Sequence, residues 1–252
     1  MVQAVQLFER FGFSGALRWL HVLFGIAWIG LLYYFNFVQV PSFAEMSAAA
    51  RNEAITKLAT RALWWFRWAA LGTAIFGILI TGATKDYYKD FFSRADGASI
   101  FLGMIIALTM LYNVWMVIWP NQRIVIANAV NVLNGGQPDP NAAPAARRAF
   151  LASRQNVIFS IPMLWFMVGT AHFYTGETFA SIDGLSAGKV VGFLLIALVI
   201  WAVLEANALG LIGGVAPGNP GKQIYESVSA ILISGFVLWA IYWLLSEIFL
   251  KA

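Results

Sequence analysis

The chain has two histidines, and both fall inside apolar stretches. His21 sits in GALRWLHVLFGIAWIGLLYYFNFVQV, residues 15–40, a run long enough to cross a bilayer as a helix. An ionisable group at such a place is costly unless it has a partner, and the default reading is functional. Gly25 follows at i+4 and Trp28 at i+7, so the three share one helix face. A ring nitrogen, a bare stretch of backbone and an aromatic slab suit a flat ligand. His172 has nearly the same neighbours in reverse order, Gly169 at i−3 and Trp165 at i−7. Two neutral imidazoles facing each other across a planar gap can ligate a haem iron axially. The expectation is a b-type haem with its iron on His21 and His172, flanked by Gly25, Trp28, Trp165 and Gly169. The alternative is that a histidine is a hydrogen-bonded strut against a neighbouring helix.

A second group of polar residues gathers at the opposite ends of the same stretches. Counting spans places Asn36, Arg67, Asn113, Asn121, Gln122, Arg123, Arg154, Asn156 and Glu205 at one depth. Arginines beside carboxamides present forked donors to a small planar anion. Arg67, Asn113, Asn121, Gln122 and Arg154 are the expected substrate-lining residues. Glu205 either balances Arg67 or accepts a proton, which makes Arg67 and Glu205 the candidate catalytic pair. The bland alternative is an Arg67–Glu205 or Arg154–Glu205 ion pair that ties helices together.

These residues must be positioned by helices in a membrane. Of 252 residues, 60% are hydrophobic and 11% charged, against about 25% charged in soluble domains. The fold class expected is all-α: a polytopic transmembrane bundle of about six spans plus interfacial helices, forming a single domain over 1–252. The spans read as residues 15–40, 62–83, 98–120, 150–173, 188–211 and 227–250. Pro41 marks the end of the first. Residues 42–61 read as a short amphipathic helix on the membrane surface, 1–14 as an interfacial segment, and 85–96 as a charged aromatic loop. GGQPDPNAAP, residues 135–144, is the clearest loop. A slight Lys/Arg bias places both termini outside, in the periplasm if the membrane is the bacterial inner membrane.

Composition also excludes. With no cysteine there is no disulfide, thiolate metal site or covalent CxxCH haem in these residues, and two histidines cannot make a three-histidine zinc site. Phosphate-binding glycine loops are absent. The net charge of +4 is spread over loops and does not form a nucleic-acid surface. The lipid bilayer is the first partner implied.

WLHVLFGIAWIGLLYYFNFVQVP, LYNVWMVIWPNQRIVIANA and LASRQNVIFSIPMLWFMVGTAHF resemble the membrane domain at the start of the bacterial integral-membrane urate oxidases, or urate hydroxylases. YYFNFVQVP and WPNQR are the most specific parts. The H-x6-W-x-G pattern at His21, Trp28 and Gly30 is shared more distantly with copper-resistance and haem-binding membrane proteins. The resemblance implies oxidation of urate to 5-hydroxyisourate, with electrons passing to a c-type cytochrome. In that family the membrane domain is usually followed by the cytochrome; with no CxxCH here, a separate c-type cytochrome or a larger membrane complex is the expected acceptor. The competing expectation is a haem-bearing or structural accessory subunit of a respiratory or photosynthetic complex, without catalysis of its own. A small-anion transporter is a third reading.

Overall fold

A computed structural model describes residues 10–83, 91–175, 179 and 185–251. They are helical almost throughout, with one isolated bridge, Phe179 to Lys251, outside the helices. In order they form α1 (Arg10–Tyr33), a π-helical turn (Tyr34–Gln39) and α2 (Val40–Glu45); then α3 (Ala48–Ala54), a second π turn (Ile55–Ala59) and α4 (Thr60–Ala83). A 3-10 turn (Phe91–Ser93) leads to α5 (Ala95–Tyr112), a third π turn (Asn113–Ile118) and α6 (Trp119–Leu133). The chain continues through α7 (Ala142–His172), α8 (Ala187–Ala208), a 3-10 turn (Gln223–Tyr225) and α9 (Val228–Phe249). Of the expected 1–14 segment and 85–96 loop, residues 1–9 and 85–90 lie outside the described residues; 10–14 begin α1, and 91–96 form the 3-10 turn and the start of α5.

Five of these helical stretches are long and apolar enough to cross a membrane: Gly12–Glu45, Ala48–Ala83, Ala95–Leu133, Ala187–Ala208 and Val228–Phe249. The sixth long helix, α7, is the most polar and the most enclosed. It carries buried residues from Ala145 to Gly169 and packs against α1, α5, α6, α8 and α9. Its neighbours shield it, so it can afford polar side chains that a lipid-facing helix cannot.

Two expected boundaries move. Pro41 does not end the first helix, which runs on to Glu45. A proline lacks the N–H for an intrahelical bond and crowds the preceding turn; here the wider π turn just before it absorbs both demands. The same arrangement recurs at Pro120, which follows the π turn Asn113–Ile118. Of the expected surface helix over 42–61, residues 42–45 end the first helical stretch and 48–61 lead into α4, continuous from Ala48. Three helical stretches therefore outrun the roughly 20 residues a bilayer requires, and connect at the same end of the bundle.

Helix contacts use small residues, the usual device where lipid removes the hydrophobic drive to associate. A Cβ on Gly72 would run into the Phe24 ring, which seats α1 on α4, and one on Gly235 would meet Ile161, which seats α9 on α7. Serine hydroxyls cap three helices: Ser47 accepts from the Ala50 N–H, Ser186 from Lys189 and Ser227 from Ala230. Gly135 (φ 82°) and Gly210 (φ 79°) take the left-handed conformation just past α6 and α8, where a side chain would be strained.

Candidate functional site

The carboxamide end of the bundle is organised by one turn of α7. Ser153, Arg154, Gln155 and Asn156 are consecutive, so their side chains leave the helix in four directions. Ser153 Oγ accepts from Asn36 Nδ2 of the first π turn at 2.8 Å. Arg154 Nη1 donates to the Tyr225 carbonyl at 2.9 Å, and its guanidinium lies 4.5 Å from the Phe150 ring centre. Gln155 Oε1 accepts from the Tyr225 hydroxyl at 2.6 Å. Asn156 Nδ2 donates to the Met110 carbonyl at 3.0 Å, and its Oδ1 accepts from Asn113 Nδ2, also at 3.0 Å.

Asn113 opens the third π turn and is fully buried; its Nδ2 also reaches Glu205 Oε2 at 3.3 Å. Tyr225 OH lies 3.3 Å from the Leu204 carbonyl, next in the chain to Glu205. The contacts close a ring: Asn113, Asn156, Gln155, Tyr225, Leu204, Glu205 and back to Asn113. Tyr225 is held from below by Lys222. That ammonium is fully buried and donates to the Asn207 carbonyl, the Asn207 side chain and the Ile212 carbonyl. Burial, helped by the nearby Arg147, pushes Lys222 below its ordinary value, and burial raises the Tyr225 phenol.

The expected substrate residues are thus divided. Asn113 and Glu205 meet in the ring, and Arg154 is its neighbour. Arg67 goes elsewhere: its guanidinium stacks 3.9 Å from the Trp119 ring centre, with Trp115 and Trp68 at 5.4 and 5.9 Å. Among the described residues neither Arg67 nor Arg154 forms an ion pair with Glu205, so the bland helix-tying pair is not what holds this end. Asn121 bonds to the Val117 carbonyl of its own helix at 2.7 Å, and Gln122 beside it is half-buried. Trp119, Arg123, Thr60 and Asp139 line an open cleft of about 660 Å³ in the helical extension, reached from outside the bundle.

The histidine end is built differently. His21 Nδ1 is 2.8 Å from the Thr73 carbonyl on α4, so that nitrogen carries the hydrogen and Nε2 is free. The ring also lies 3.1 Å from where a Cβ on Gly77 would be. His172 is exposed at the last residue of α7. Tyr33 OH and Ser160 Oγ meet at 2.9 Å, joining α1 to α7, and Asn36–Ser153 shows the helices to be antiparallel. His21 and His172 each lie twelve residues from that Tyr33–Ser160 bond, or about 18 Å along each axis.

The glycines and tryptophans are used otherwise than as porphyrin walls. Gly25 faces the Thr73 methyl, and Gly169 faces the Tyr174 ring. Trp165 Nε1 donates to Tyr174 OH at 3.1 Å and packs edge-on against Trp239 of α9. Trp28 is wholly buried with its Nε1 unpartnered. His21 therefore has the tautomer that a metal ligand needs, whereas the predicted glycine slot is filled by protein. No group of three or more His, Cys, Asp or Glu side chains gathers around a metal-sized space among the described residues.

The residues absent from the sequence-based expectation are Ser153, Gln155, Tyr225 and Lys222. The first two carried a signal: four successive polar residues inside a span demand a helix enclosed on every side. The last two lie in a glycine-rich connection with no such mark.

Fold and polar junction together define a multi-pass helical membrane-type protein with a hydrogen-bonded site at one end. Residues 67–183 match the family model described as Urate oxidase N-terminal, and the chain is urate-oxidase-like over that stretch. No curated protein and no solved structure matches the chain. The matched stretch opens at Arg67 and takes in Asn113, Asn121, Gln122, Arg154, Trp165, Gly169 and His172; His21, Gly25, Trp28 and Glu205 lie outside it.

Proposed function

We propose that the protein is a urate-oxidising membrane redox protein that hands electrons to a c-type cytochrome. The observation that carries this is the family match over 67–183, which encloses the π turn, the SRQN turn of α7 and the tryptophan-stacked Arg67. The residues suit the substrate. Urate is planar and anionic: the Trp119 ring offers a stacking face, and Arg67 and Arg123 offer charge, beside a cleft of adequate volume. Trp119 immediately follows the π turn that Asn113 opens, so the cleft and the buried ring share that turn.

The reaction balances as urate monoanion plus water giving 5-hydroxyisourate, a proton and an electron pair. The cytochrome takes the electrons. Arg67 and the carboxamides orient the anion, and Glu205 is the group that exchanges the proton. A b-type haem, when bound, supplies one-electron relay between the site and the acceptor; His21 and His172 would hold its iron. In this reading the membrane is the bacterial inner membrane, with purine entering from the cytoplasm and the histidine end facing the periplasm.

The test is anaerobic urate consumption by the purified protein with oxidised cytochrome c as acceptor. The expected result is urate loss matched by cytochrome reduction, falling at least tenfold in Arg67→Gln. Absence of both, in protein that retains its fold, contradicts the reading and favours an accessory-subunit role.

A further inference from the structure

Glu205 is a carboxyl more than nine-tenths buried in a helical core, and among the described residues no cation pairs with it. The charged and titratable groups around it are engaged elsewhere. Arg154 on α7 donates to the Tyr225 carbonyl, Lys222 to the carbonyls at the end of α8, and the Tyr225 hydroxyl to Gln155. Arg147 is paired with Glu226 at 2.6 Å. The α5 side contributes only the neutral Asn113.

Two acceptors at this point have no donor: Asn113 Oδ1 and Glu205 Oε1, both buried. Turning the amide does not help. The Met110 carbonyl can only accept, so Asn156 must present Nδ2 to it and Oδ1 to Asn113; Asn113 must then present Nδ2. That same Nδ2 reaches Glu205 Oε2, which leaves the remaining oxygen of the amide and the remaining oxygen of the carboxyl as the unsatisfied pair. A charged carboxylate at such a site lacks compensation, and each buried acceptor left without a donor carries a desolvation cost.

One proton resolves all of this. We infer that Glu205 rests as a carboxylic acid, its Oε1–H donating to Asn113 Oδ1 while Asn113 Nδ2–H donates to Oε2, a cyclic acid–amide pair that makes this junction a proton-storage site inside the bundle. Glu205 is then a proton donor and relay at rest, not a standing base. It delivers its proton when a ligand or a structural change separates it from Asn113, and reloads when the pair re-forms. The inference does not depend on the substrate being urate. The one open valence left in the ring, Gln155 Nε2, is a donor, which suits a water or a ligand carbonyl as the proton's neighbour.

Infrared spectroscopy of the purified protein reads this without any substrate. At about pH 6 exposed carboxyls are already mostly ionised, and Asp96, the other buried acid among the described residues, is held by a two-pronged bond to Arg94. The expected spectrum shows a carboxylic-acid C=O band that shifts on deuteration and is lost in Glu205→Gln, an isosteric change that can pair with Asn113. Asn113→Leu should move the band to higher frequency. A wild-type protein without such a band overturns the inference on its own, even if the variants do not fold; so does a Glu205→Gln difference spectrum that loses a carboxylate band instead. Failed urate turnover with the acid band intact would sink the proposed reaction and leave the proton site standing.

Discussion

The two ends of the bundle solve the problem of polar groups in an apolar protein in opposite ways. At the carboxamide end one turn of α7 reaches the first π turn, α5, the third π turn and the connection before α9 through Ser153, Asn156, Gln155 and Arg154, and Asn113 and Tyr225 carry the contact on to α8. Each of those bonds crosses between elements, so the end is a rigid hub. At the histidine end, two sets of bonds are seen among the described residues. His21 ties α1 to α4, while Ser99, Thr170, Trp165, Tyr174 and Ser246 tie α5, α7 and α9. Among the described residues, the side-chain bonds from the first helical stretch to α7 lie at Tyr33 and Asn36, toward the hub. The lesson is that one end holds its polar atoms against each other, while at the other His21 is bonded to a neighbouring helix and His172 is exposed at a helix end.

Breaking the hub should have the largest effect. Asn156→Leu removes two buried bonds at once, from Asn113 Nδ2 to Asn156 Oδ1 and from Asn156 Nδ2 to the Met110 carbonyl; at about 0.5–1.5 kcal/mol for each, unfolding of the detergent-solubilised protein should come at a markedly lower temperature. Next is Gly72→Val, which places side-chain atoms in the Phe24 ring and should loosen α1 from α4 at a cost of about 1–3 kcal/mol. Proteolysis within α1 should accelerate while the α7 hub stays protected. Tyr225→Phe removes the donor to Gln155 Oε1 and should cost about 1 kcal/mol. At the foot of the scale, Lys57→Ala breaks an exposed pair with Glu53 and should move thermal stability by less than about 0.5 kcal/mol. A hub variant that proves as mild as Lys57→Ala would erase the contrast between the two ends.

How much of this could be read from sequence depends on the kind of interaction. Helices long enough to cross a bilayer follow from composition, because lipid leaves few alternatives. The depth of Asn36, Asn113, Arg154, Asn156 and Glu205 follows from counting spans, and contacts join all five through α7. Partner choice did not follow. Arg67 faces three tryptophans instead of Glu205, because rotation about the helix axis decides the neighbour and depth does not constrain rotation. Pro41 reads as a stop because the residues before it carry no mark of a π turn. The glycines near each histidine read as ligand space, yet in this bundle glycine chiefly admits a neighbouring side chain, Thr73 at Gly25 and Tyr174 at Gly169.

The proposed division of labour between the ends, with substrate and proton at the hub and electron exit between the imidazoles, is tested most directly by the visible spectrum of the purified protein before and after anaerobic urate. The account predicts a b-type haem band that urate reduces, absent in His21→Ala and in His172→Ala although both variants keep the hub. A colourless wild-type protein, or a haem spectrum untouched by either substitution, would contradict it.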